Sequence, residues 1–145
     1  MPLIIDNNRR SDFTRSPKNA AIAIFRSLEK RQIRIAVCKA LLKELTEDSR
    51  FFDILEEWAR QGSLVRADEE KYEAEYKIIE NMNITSDDEH ILALARCCGS
   101  RLLYTEDRAL IDDFKCSQII SPRGKVITKG TREGDAAGLL RSFGF

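Results

Sequence analysis

Short apolar runs alternate along this chain with stretches whose apolar residues recur every three or four positions, a pattern that predicts strands interleaved with amphipathic helices. Leu3-Ile4-Ile5 reads as a first strand ending at Asp6. Ser16-Pro17 offers an N-cap with proline at the first helical position, and Ala20, Ile24 and Leu28 carry that helix to about Arg31. Ile33 to Val37 is the second strand. Helices follow over Lys39 to Glu47, with Leu41, Leu42 and Leu45 inward, and through Phe51, Leu55 and Trp58 to a stop at Gly62. Leu64-Val65 is a short strand, and Asp68 to about Met82 is a charged helix with Tyr72, Tyr76 and Ile79 as its inward stripe. Trp58 and Tyr72 stand at core spacing and are expected to pack.

Ser86 and Glu89, three apart, form a predicted capping box ahead of Ile91, Leu92, Leu94 and Ala95, in a helix that ends at Gly99. Arg101 to Thr105 is a buried strand, Ala109 to Phe114 a short helix, and Gln118-Ile119-Ile120 a last strand. The order predicts an α/β domain in three layers, a mostly parallel sheet of four or five strands with helices on both faces. Residues 1–121 form the expected domain, and 122–145 an extension that docks on it through Leu139, Leu140, Phe143 and Phe145.

Composition narrows the classes of function. No stretch is long and apolar enough to cross a bilayer, and the N-terminus lacks the basic region and cleavage site of a secretory signal, so a cytoplasmic location is expected. Cys38, Cys97, Cys98 and Cys116 show no metal-ligand spacing and His90 is the single histidine, which argues against a disulfide framework, a zinc site or a thiol nucleophile. The net charge is zero, but residues 1–43 carry ten Lys/Arg against three Asp/Glu, and residues 44–89 carry five against fifteen. Such a division permits a polyanionic partner, and a solvated acidic helix face explains the middle equally well.

The candidate chemistry lies in carboxylates. In open parallel sheets ligands bind beyond the carboxyl ends of the strands. Asp6 ends the first strand, Asp107 follows the Leu-Leu-Tyr-Thr strand, Asp88 opens the helix leading into that strand, and Glu44 lies on the helix after the second strand. Hard divalent cations prefer such oxygen donors, and a metal relieves the repulsion that clustering imposes. Each acid also has a plainer role: Asp88 as a helix-start residue, Asp107 as a cap, Glu44 as a surface glutamate. His90 is expected on the helix surface. Arg9, Arg10, Arg15 and Lys18, in the loop leaving the Asp6 strand, are either phosphate contacts or a solvated loop. Arg123, Lys125, Lys129 and Arg132 form a second basic group with no evident place.

Leu-Ile-Ile-Asp6-Asn7-Asn8 resembles the first-strand motif of PIN domains, and Asp88-Glu-His-Ile-Leu-Ala-Leu-Ala95, Gly99 and Leu102-Leu-Tyr-Thr105-Glu-Asp107 resemble that family's helix-and-strand segment. Ala40-Leu-Leu-Lys-Glu44-Leu resembles its glutamate-bearing helix. The resemblance covers about residues 3–121. It implies a PIN-like fold and a Mg²⁺- or Mn²⁺-dependent ribonuclease, with Asp6, Glu44, Asp88 and Asp107 catalytic, the three aspartates on metal, and Asn8 and Thr105 in support. It also implies a possible toxin role with an antitoxin partner, and a homodimer. Whether Asp87 or Glu106 adds a donor is left open, and a PIN-like module that binds RNA or protein without cutting is the alternative. A phosphate-receiving signalling domain also places aspartates at strand ends, but no strand-end lysine stands here in a matching position.

Overall fold

The computed structural model describes residues 1–143. Five strands, β1 (Leu3–Ile5), β2 (Ile35–Val37), β3 (Leu64–Arg66), β4 (Leu102–Tyr104) and β5 (Lys125–Ile127), form one sheet in the order β3-β2-β1-β4-β5. Every neighbouring pair is parallel. The three inner strands are buried at every position, as strands covered on both faces must be.

Among the described residues eight α-helices cover the sheet: α1 (Ser11–Thr14), α2 (Ala20–Glu29), α3 (Lys39–Leu45), α4 (Ser49–Arg60), α5 (Glu69–Glu80), α6 (Glu89–Cys98), α7 (Arg108–Phe114) and α8 (Glu133–Phe143). From β1 the chain steps outward through β2 to β3, then crosses to β4 and β5 on the other side. Right-handed crossovers in those opposite directions place α1, α2 and α4 on one face and α5, α6 and α7 on the other, and α3 packs against α6. The result is the three-layer, PIN-like α/β architecture expected from the sequence. On the first face Phe13, Phe25, Phe51, Trp58 and Tyr104 make an edge-to-face cluster with ring centroids 5.4–6.0 Å apart. Trp58 therefore packs, as its spacing predicted. On the other face α5 packs along α6, while α8 lies against α2 on the first.

Several boundaries depart from expectation, each for a local reason. Helix α2 begins at Ala20 rather than at Pro17: Asn19 is held at φ 51°, and Ala21 N donates to Lys18 O, so the preceding segment is loop. The capping box does not form. Ser86 N is already taken by Asp113 Oδ2 at 2.8 Å, which removes the donor Glu89 would have served, and α6 starts after Asp88. Gln118-Ile119-Ile120 is a turn, not a strand. Ile119 N and Ile120 N both return to Cys116 O, and the two isoleucines plug the core from that turn. The fifth strand lies further on, at Lys125–Ile127, inside the segment expected to be an extension, whose helix α8 also supplies buried Ala136 and Leu140. Leu139 and Phe143 pack against the core as expected, and Phe145 lies outside the described residues.

The four cysteines are unpaired thiols, buried or half-buried. Burial and the neighbouring Cys97 push the Cys98 thiol up to about 12, so it stays protonated and a poor nucleophile. Among the described residues no helix is long and apolar enough to cross a membrane.

Candidate acidic site at the strand switch

The strand order reverses between β1 and β4, and in such sheets the crevice opens beyond the carboxyl ends of those two strands. Register sets what meets there. Ile5 is level with Tyr104, so Asp6 is level with Thr105, and Asp6 N donates to Tyr104 O at 3.0 Å. The Thr105 hydroxyl is fully buried and donates to Asp6 Oδ2 at 2.7 Å. Thr105 Oγ1 in turn accepts from Asp107 N at 3.1 Å and from Asn8 Nδ2 at 3.4 Å. One threonine thus ties together the ends of both strands and the loop after the first.

Asp6 is buried, with 6% of its surface exposed. Burial raises its proton affinity above the ordinary carboxylate value, with Asp107 adding to the rise; the Thr105 and Asn7 hydrogen bonds and the His90 charge oppose it. Asp107 fills the cap role considered for it, since Oδ1 accepts from Ala109 N at 3.0 Å and Leu110 N at 3.3 Å. That commits one carboxylate oxygen to α7. Asp107 also lies near enough to Asp88 to raise that carboxyl's proton affinity.

Asp88 shows the convergence most clearly. Burial first, then the charges of Asp6 and Asp107, the bond to Asp107 and the charge of Glu44 push its carboxyl up to about 7. All three of the other predicted acids therefore act on this one side chain. Asp87, by contrast, is exposed, which places Asp88 and not its neighbour in the cluster. Asp88 is delivered by a loop whose Thr85 and Ser86 amides are both clamped by Asp113, at 2.9 and 2.8 Å. Asp113 is only 3% exposed. Its spacing on α7 looked like that of any helix aspartate, so nothing in the sequence pointed to the clamp.

His90 is not on the surface, contrary to expectation. Its side chain is 15% exposed, and Nε2 lies 2.9 Å from Glu44 Oε1. Nε2 has no hydrogen-bond partner, so the two side chains lie close without a formed hydrogen bond. One turn into α6, His90 faces Glu44 on α3 because those two helices pack against each other. Nothing local in the sequence signals that meeting.

Glu106 turns elsewhere: it accepts from Lys129 N and lies 3.9 Å from Arg9 Nη1. Arg9 also pairs with Asp12 at 3.2 Å, and Arg10 Nη1 donates to Asn7 Oδ1 at 2.8 Å and to the Glu44 carbonyl at 2.5 Å. These two arginines brace the loop and α3. Arg15 and Lys18, the other two candidate substrate contacts, are exposed.

No protein-family model matches the chain, and no curated protein shows a significant match to it. The donor chemistry fits a hard divalent cation: four carboxylates, one of which holds its proton unusually tightly because the others crowd it. Among the described residues, however, no three His, Cys, Asp or Glu side chains are grouped closely enough to form a finished metal cage. The acids converge on one crevice without closing around a common point.

Proposed function

We propose that the chain is a metal-dependent ribonuclease that hydrolyses phosphodiesters in single-stranded or structured RNA. The observation that carries the reading is the position of Asp88 at the switch point of a parallel sheet, where burial first and then Asp6, Asp107 and Glu44 push its carboxyl upward. Asp6, Asp88 and Asp107 would hold Mg²⁺ or Mn²⁺, which when bound activates water and steadies the leaving oxygen. Thr105 fixes the Asp6 carboxylate through a buried hydrogen bond, and Asn8 supports Thr105 in turn. The α7 amides fix the rotation of Asp107. Glu44, restrained by His90 and by Arg10 on its carbonyl, orients water at the rim or completes the donor set. Resemblance to the PIN family extends the proposal to a toxin restrained by an antitoxin, working as a cytoplasmic homodimer.

The competing reading is a PIN-like module that grips RNA or protein and never cuts. Its support is that the acids, as they stand, do not close into a cage. One experiment separates the two. End-labelled RNA is incubated with the purified protein in Mn²⁺, in Mg²⁺ and in EDTA, alongside a folded Asp6→Asn variant. Metal-dependent cutting that Asp6→Asn abolishes is the expected result, and intact RNA in every lane would leave the binding module as the account.

A further inference from the structure

A second feature of the same sheet edge lies on the α1 and α2 side of the acids. There a cleft of about 380 Å³ is lined by Ser11, Asp12, Arg15, Lys18, Tyr104 and Lys129, at the lower end of the range of about 300–1,000 Å³ common for small-ligand sites. Lys129 stands two residues past β5, and Arg15 and Lys18 precede α2, so parallel pairing of β5 with β4 gathers two basic groups more than a hundred residues apart in sequence. All three cations are exposed, and none forms an ion pair among the described residues. The only acid in the lining, Asp12, is already engaged by Arg9 and by the Tyr104 hydroxyl, the latter at 2.6 Å. Its charge is spent, and the cleft is left net positive. Tyr104 immediately precedes Thr105, which holds Asp6, so the cleft and the acids are joined through one strand end. Unpaired cations converging on a concave surface beside a carboxylate crevice suit a polyanion laid across both: positive charge holds one phosphate while the neighbouring one lies over the acids.

We infer that the cleft of Arg15, Lys18 and Lys129 holds a backbone phosphate of the bound strand, adjacent to the phosphate presented to the acids. The inference rests on the nuclease reading for its second half only, and binding tests it without cutting. A fluorescein-labelled oligouridine of about ten nucleotides is titrated in EDTA and followed by anisotropy over a range of salt. Arg15→Ala, Lys18→Ala and Lys129→Ala are compared with the wild type and with Lys77→Ala, an exposed α5 lysine outside the cleft. Each cleft variant should lower the slope of log affinity against log salt by about 0.7, the loss of one phosphate contact on a single strand. Between about 50 and 200 mM salt that is a two- to threefold smaller drop in affinity than the wild type shows. Lys77→Ala should match the wild type. In the cleavage assay with Mn²⁺ the cleft variants should raise KM and leave kcat unchanged. An unchanged slope and KM in all three variants, or no binding by the wild type, would overturn the cleft. Normal slope losses in a protein that cuts nothing would instead retain the cleft and remove the nuclease.

Discussion

Asp88→Asn removes a charge that the folded protein holds at a cost, and keeps the shape of the side chain. The carboxyl is raised from 3.8 to about 7 by burial and by three other acids. At about 1.4 kcal/mol for each tenfold change in proton affinity, that rise sets a ceiling of roughly 4 kcal/mol. Asp88 is only half-buried, and solvent screening of a partly exposed group brings the expectation down to about 1–2 kcal/mol. The sign follows from the direction of the shift. The folded state binds the proton more tightly than the unfolded chain, so this contribution to stability is complete below pH 4 or so. It is lost as the pH rises to about 7, and is constant beyond. Urea unfolding in EDTA, followed by far-ultraviolet circular dichroism from about pH 5 to pH 8, measures it. The variant should gain on the wild type as the pH rises, ending about 1–2 kcal/mol more stable at the alkaline end. Asp6, also raised, titrates in both proteins and largely cancels in the difference. Saturating Mn²⁺ should reverse the order, because the wild type binds the ion more tightly and is stabilised accordingly. A variant no more stable than the wild type at pH 8 would show that Asp88 is not crowded by Asp6, Asp107 and Glu44.

Three further substitutions test the supporting parts. Asp113→Ala strands two amides of the loop that carries Asp88 and should cost about 2–3 kcal/mol in urea unfolding, with weaker Mn²⁺ binding by calorimetry; unaltered metal affinity would free Asp88 from that clamp. Thr105→Val keeps the volume but removes the donor to Asp6, so nuclear magnetic resonance titration should show the Asp6 carboxyl rising further, with about 1–2 kcal/mol lost in stability. A fall in that value would refute the assigned hydrogen bond. Gly124→Ala places a methyl 2.4 Å from the Phe114 ring and 2.8 Å from its carbonyl, at the turn into β5, and should destabilise by about 1–3 kcal/mol in thermal melts; an unchanged melting temperature would mean that this turn yields freely.

The strands at the centre of the sheet were legible because burial on both faces leaves a continuous apolar run, as in Leu3-Ile4-Ile5 and Leu102-Leu103-Tyr104. At the sheet's edge that signal disappears. In β5 Lys125 is exposed and only Ile127 is fully buried, while Ile119 and Ile120 imitate a strand from within a turn. The acids could be named from their positions after strands and at helix starts, because those places are local in sequence. Residues whose role depends on packing between distant elements could not be found that way. Asp113 reaches back 27 residues to Ser86, His90 meets Glu44 only where α6 crosses α3, and Lys129 joins Arg15 only once β5 pairs with β4. For Arg9 and Arg10 the sequence left phosphate contacts and a solvated loop both open, and the structure shows both engaged with protein, a packing detail no local pattern signals.

The account turns on Asp6, Asp88 and Asp107 closing around one hard cation. Diffraction from a crystal soaked in MnCl₂, with data collected at the manganese absorption edge, addresses that claim directly. The expected map has an anomalous peak at the ends of β1 and β4, with carboxylate oxygens of all three aspartates within about 2.0–2.3 Å of it. Full soaking with no peak there, or a peak held by other residues, would contradict it.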